Sequence, residues 1–209
     1  MLQENDSSKI MIQDVISKNN LNYGISLTGT GITVNNANIR DNDVAYGLVI
    51  GNNIENEITL AGDVSITNNV NGFAVAPAAQ GTVRVTGNLI SNRNVVGLLP
   101  LSDNFTYVVG GSYSGKSGKS GSGSLTACDN SLVDIQNAGG SNFEGSDYTC
   151  DTAVPPGADL PVCKPCHPGC PSPSPSESAE FSEIQQITSS IAEDHDLVAM
   201  AMDMEYLVV

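Results

Sequence analysis

Several groups of side chains in this sequence are of types and spacings that could do chemistry. Asp41-Asn42-Asp43 sets two carboxylates one residue apart, a pair of hard oxygen donors suited to calcium. Tyr23 and Tyr46 stand in equivalent places beside Gly24 and Gly47; facing outward they would form an aromatic step for a sugar ring, with Asn42 as a further glycan contact, and facing inward they are core. Gly110 to Ser117 follows the phosphate-binding loop pattern and comes after a strand-like run, Phe105 to Val109. Cys163-Lys-Pro-Cys166-His167 follows the haem-attachment pattern and, with Cys170, gathers zinc-ligand types.

Context removes two of these readings. A phosphate loop works by opening a helix at its lysine, here Lys116, whereas Gly118, Gly121 and Gly123 would each cost a helix about 1 kcal/mol. Pro165, Pro168 and Pro171 forbid the helix that presents a haem motif. Crowding of Cys163, Cys166, His167 and Cys170 leaves little room for a zinc tetrahedron, so disulfides are expected, and an odd number of cysteines, 5, leaves one over for a partner chain.

The elements that must position these groups come from a repeat. Gly24, Gly47, Gly72 and Gly97 recur at intervals of 23, 25 and 25 residues, each preceded eight positions earlier by Ile16, Ile39, Val64 or Leu89 and followed by Ile25, Leu48, Phe73 or Leu98. A fixed period of this size means stacked units. Between the glycines lie short apolar alternations bounded by Asn, Asp and Gly, about three to a repeat, which read as strands. Three strands per unit describe one coil of a three-sided solenoid whose coils pair in parallel, with equivalent residues in columns. Ile25, Leu48, Phe73 and Leu98 form one inward column by this reading, and Leu27, Ile50, Val75 and Pro100 its neighbour. Asn19, Asn42, Thr67 and Asn92 form a polar column at the bend, beside glycines that permit a tight corner. Lys18 falls level with Asp41, a solvated charge mosaic.

The Ile-x-x-Asn-x4-Gly-Ile/Leu-x-Val phrase resembles the right-handed parallel β-helix family, the pectate-lyase-like superfamily, over residues 10–110. The resemblance implies an all-β fold: a right-handed three-sided parallel β-helix of about four to five coils. In lyases of that family an acidic cluster holds calcium, which would give Asp41 and Asp43 a role; hydrolases of the family need several Asp with a His and a Lys on neighbouring coils. Both histidines of this chain lie outside the repeats. The fold carries enzymes, adhesins and inert spacers alike.

The remaining chain divides by composition. Residues 1–9 lead in, and with no apolar helix there to cover the lowest coil, further coils are expected upstream. Residues 111–127 are a Gly/Ser-rich loop. Residues 128–152 hold one more strand-like run, Leu132 to Gln136, as a terminal coil or cap tied by a Cys128–Cys150 bridge that would contribute about 3 kcal/mol. Residues 153–176 form a Pro/Cys-rich linker, and 177–209 an acidic tail whose Phe181, Ile184, Ile187 and Ile191 fall at helical spacing.

Net charge is −15, and residues 111–209 carry most of it. Such a surface repels phosphate backbones, which excludes nucleic acid as a partner. No apolar run is long enough for a membrane span. The N-terminus lacks an export signal, yet cysteines and the acceptor sequences at Asn5 and Asn104 suit N-glycosylation outside the cell. Together these features lead to a noncatalytic extracellular or cell-surface protein, structural or polysaccharide-contacting, needing no cofactor beyond optional calcium. The rival expectations are a C-terminal portion of a polysaccharide lyase or glycoside hydrolase, and an adhesin-like spacer whose tail binds a protein.

Overall fold

The computed structural model describes residues 9–42, 46–110, 123–154 and 160–167. Every regular element among them is a strand: β1 (Ile10–Lys18), β2 (Tyr23–Leu27), β3 (Ile32–Arg40), β4 (Tyr46–Ile50), β5 (Asn56–Thr67), β6 (Asn71–Val75), β7 (Gly81–Val85), β8 (Asn88–Asn92), β9 (Val96–Pro100), β10 (Phe105–Val109), β11 (Ser124–Thr126), β12 (Val133–Gln136), β13 (Asn142–Gly145), β14 (Tyr148–Thr149), β15 (Ala153–Val154) and β16 (Cys163–Lys164). They wind into an all-β parallel solenoid of about five turns. The expected tail helix, residues 177–209, lies outside the described residues, as does most of the Gly/Ser-rich loop.

Two sheets form the walls. The smaller has six strands in the order β15-β12-β9-β6-β4-β2. The larger has ten and forks. Its lower strands, β1, β3 and β5, run long and unbroken through a bend at Asp14, Asn36 and Gly62, each in the left-handed region with φ of 52°, 58° and 62°. β5 then pairs with β7 through its first half and with β8 through its second. Above it the arms β7-β10-β13 and β8-β11-β14-β16 continue separately. The sequence segments Gly31 to Val34 and Asn38 to Arg40 therefore join into one strand, because the left-handed turn at Asn36 is taken up as a bulge, where the register with β5 shifts between Asn35 and Ala37 and parallel pairing then resumes.

The apolar columns stack as the repeat requires. Ile25, Leu48, Phe73 and Leu98 are in register, as are Leu27, Ile50, Val75 and Pro100. With Ile58, Val83, Tyr107 and Ile66, among others, they fill one continuous interior. Aliphatic side chains suit it, since a parallel ladder puts like beside like and β-branched residues fit the pleat. Each fully buried Leu, Ile or Phe contributes roughly 1.5–3 kcal/mol of transfer free energy.

The repeat glycines do a different job from the one their sequence context suggests. None of Gly24, Gly47, Gly72 and Gly97 has a positive φ. They are required by close approach. A Cβ at Gly47 would lie 2.4 Å from Ile66 Cγ2 and 2.9 Å from Asn69 Nδ2, and one at Gly72 would lie 2.1 Å from Ser91 Oγ. The left-handed corner falls instead to Asn19, Asp41, Asn68, Arg93 and Asp129, all with φ between 55° and 57°.

The central strands of the smaller sheet are buried on both faces. β4, β6 and β9 are buried at all five positions, so their sequences read as apolar runs rather than alternations. Val49, Ala74 and Leu99 alternate with the interior residues and form, with Tyr46, Val96 and Val133, a second apolar cluster.

The upper end is tied by two disulfides, Cys128–Cys166 and Cys150–Cys163. The Cys128–Cys150 bridge expected from sequence does not form. β16 returns to pair with β14, setting Cys163 beside Tyr148, and this brings Cys163 within reach of Cys150 and Cys166 within reach of Cys128. With both sulfurs committed, the Cys163 and Cys166 motif has no thiolate left for haem or zinc. Cys170 lies outside the described residues.

Candidate functional site

The corner expected to carry chemistry is built by the residues that follow the β1, β3, β5, β8 and β11 strands. Each turn passes through one left-handed residue and then sets an asparagine at the corner, buried at Asn42, Asn69 and Asn94, partly buried at Asn130 and exposed at Asn20. Asn20, Asn42, Asn69, Asn94 and Asn130 form the polar column, not Asn19, Asn42, Thr67 and Asn92. In every step the lower residue donates both its backbone N–H and its side-chain amide to the Oδ1 above it. Asn20 gives bonds of 3.0 and 2.9 Å to Asn42, Asn42 bonds of 3.2 and 2.9 Å to Asn69, and Asn69 bonds of 2.9 and 3.1 Å to Asn94. Asn94 continues to Asn130 at 2.9 and 3.3 Å. Amides polarise one another along such a chain. Burial without these partners would cost each amide several kcal/mol.

The column ends on a carboxylate that sequence reasoning missed. Asp134, only 3 % exposed, accepts the Asn130 side-chain amide on Oδ1 at 2.9 Å and the backbone N–H groups of Asp151 and Thr152 on Oδ2 at 2.9 and 3.0 Å. Its sequence signal is that it stands where the repeat glycine should be: Val133-Asp134-Ile135 aligns in register with Val96-Gly97-Leu98.

Asn42 is therefore fully buried and spent on the fold. It has no group to offer a glycan. Tyr23 and Tyr46 do stack, with centroids 5.9 Å apart and planes at 10°. Tyr46 is 5 % exposed and belongs to the second apolar cluster, while Tyr23 is half-buried at the lower edge of the sheet. Burial raises the pKa of Tyr23 above that of a free phenol.

Of the two carboxylates expected to hold calcium, Asp43 lies outside the described residues. The Asp41 carboxylate is taken by Arg40 Nη1 at 2.7 Å and Asn68 Nδ2 at 3.1 Å. The Asn68 hydrogen bond holds its pKa below the ordinary carboxylate value, helped by the Arg40 hydrogen bond and the charges of Arg40 and Lys18 and opposed by burial. Lys18 is level with Arg40 rather than Asp41. No cluster of three metal-ligating side chains occurs among the described residues.

An exposed polar chain follows the bend of the larger sheet. Asn36 donates to Asp14 at 2.9 Å, Asp63 N–H to Asn36 at 3.0 Å, Asn88 to Asp63 at 2.8 Å and Ser124 to Asn88 at 3.0 Å. Both polar columns thus serve to join turns.

No family model, curated protein or solved structure matches the chain. Its architecture is read from its own geometry. Of the two glycosylation acceptors, Asn104 is exposed at the start of β10, and Asn5 lies outside the described residues. Among the described residues no helix is long and apolar enough to cross a membrane.

Proposed function

We propose that this chain is a noncatalytic structural element of an extracellular or cell-surface protein, a right-handed, three-sided β-helix of the pectate-lyase-like kind whose walls hold a fixed surface in place. The single observation that carries the reading is the double disulfide clamp on the upper turns, Cys128–Cys166 and Cys150–Cys163. Structural disulfides belong to oxidising compartments. The chemistry of the corner points the same way: Asn42, Asn69, Asn94, Asn130 and Asp134 are consumed in holding turn to turn. Contact with polysaccharide, if it is part of that role, falls to Tyr23 rather than Asn42, since Tyr23 keeps part of its ring in solvent beside Tyr46.

The test is location. Antibody labelling of intact cells, or detection in the medium or wall fraction, supports the reading, and a cytosolic protein with its cysteines reduced overturns it. Glycan binding by the full chain that weakens at least tenfold in Tyr23→Ala, with circular dichroism unchanged, places the sugar on this edge; unchanged binding removes Tyr23.

A further inference from the structure

We infer that Asn104 is an N-glycosylation site that the folded solenoid keeps fully compatible with an attached oligosaccharide; the inference rests on the extracellular reading above.

The acceptor sequence is Asn104-Phe105-Thr106. In a strand, alternate side chains point to opposite faces. Phe105 and Tyr107 are fully buried in the interior, so Thr106 points outward, and Asn104 shares its side. The modifying enzyme reads an amide and a hydroxyl two residues apart. Here the fold leaves both on the outer wall, while the intervening Phe105 anchors the strand.

The surroundings leave room for a sugar. Asn104 sits one residue before the register Asn56, Gly81 and Phe105, which places Gln80 and Glu55 at the same level on the two turns below, and all three side chains are exposed. Its main chain is pinned from both directions: its N–H donates to Ser102 Oγ at 3.1 Å, and its carbonyl accepts from Gly81 N–H at 3.1 Å. Among the described residues its side-chain amide donates only to Asp103, a neighbouring exposed carboxylate. Replacing one amide hydrogen by a sugar gives up at most a surface contact.

The donor is an oligosaccharide on a polyprenyl pyrophosphate. The Asn104 side-chain nitrogen bonds to the anomeric carbon of the first sugar, and the bond from that carbon to the pyrophosphate oxygen breaks. The polyprenyl pyrophosphate leaves with the electron pair, and one amide proton passes to base.

The experiment expresses the full 209-residue chain behind a cleavable secretion signal in eukaryotic cells, so that it reaches the lumen whatever its natural destination. Intact mass is read before and after amidase removal of N-glycans. A glycan lost in Asn104→Gln and in Thr106→Val, and kept in Thr106→Ser and in Asn5→Gln, supports the inference. Secreted, disulfide-bonded protein with no sugar on Asn104 overturns it. Failure of the extracellular reading gives a distinct result: Asn104 is modified in this experiment while the protein from its own cells is unmodified and cytosolic.

Discussion

Asn130 hands its side-chain amide to the Asp134 carboxylate at 2.9 Å, and with that bond the buried amide column passes from neutral acceptors to a charged one. Charge-assisted bonds are about twice as strong as neutral ones. Asp134→Ala is expected to lower stability by about 3 kcal/mol, since it orphans the Asp151 and Thr152 N–H groups together with the Asn130 amide. Asp134→Asn should lose less. Denaturant midpoints of the two variants check the order.

Position along the column sets the cost of breaking it. Asn69→Ala removes an acceptor used by Asn42 and a donor used by Asn94, and should cost about 3 kcal/mol. Asn20 is exposed, and among the described residues no asparagine of the column donates to it, so Asn20→Ala should cost under about 1 kcal/mol. Equal losses at the two sites in urea unfolding would contradict a directional ladder.

Glycine replacements separate close approach from backbone conformation. Gly72→Ala places a Cβ 2.1 Å from Ser91 Oγ and 2.5 Å from the Gly97 carbonyl, which must part the turns, and is expected to cost more than about 3 kcal/mol. At Gly51 the only near atom is Thr28 Oγ1 at 2.6 Å, a rotatable hydroxyl, so Gly51→Ala should cost about 1 kcal/mol or less. Thermal unfolding of the pair decides between these magnitudes.

Tyr107 is fully buried with its hydroxyl unpaired, inside an aromatic cluster with Phe73, Phe105 and Phe143. Tyr107→Phe should be neutral or stabilising by up to about 2 kcal/mol. Burial pushes the Tyr107 hydroxyl well above its ordinary value of 10.0, with Tyr148 adding to the rise. A raised folded value means that the neutral form is favoured in the fold; its stabilisation is complete below the unfolded value and is lost as pH rises above it. Alkaline unfolding should therefore shift to higher pH in Tyr107→Phe, and an unchanged alkaline limb would refute this.

Breaking the clamp should loosen the upper turns first. By chain entropy the bridges, with sequence separations of 38 and 13, stabilise by about 4 and about 3 kcal/mol, and because one loop is nested in the other the two do not simply add. Cys150→Ser with Cys163→Ser is expected to raise hydrogen exchange in β12 and β14 before β3 and β4. Uniform exchange throughout would mean that the solenoid opens as one unit.

The repeat alone determined the parallel coils and the two apolar columns, including the pairing of Tyr23 with Tyr46, because in-register stacking forces equivalent residues of successive turns to share one environment. The polar column was legible only in kind. Its members precede the glycines by unequal steps, as Asn20 to Gly24, Asn42 to Gly47 and Asn69 to Gly72 show, because the corner residues between strand and glycine vary in number. A fixed offset therefore lands on Asn19 and Thr67, and only the folded corner says which amide turns inward. The same holds for Asp134, whose carboxylate has meaning only beside the Asp151 and Thr152 N–H groups. Cysteine pairing was likewise decided in three dimensions. Loop entropy favours neighbours in sequence, but the return of β16 onto β14 sets which sulfurs meet.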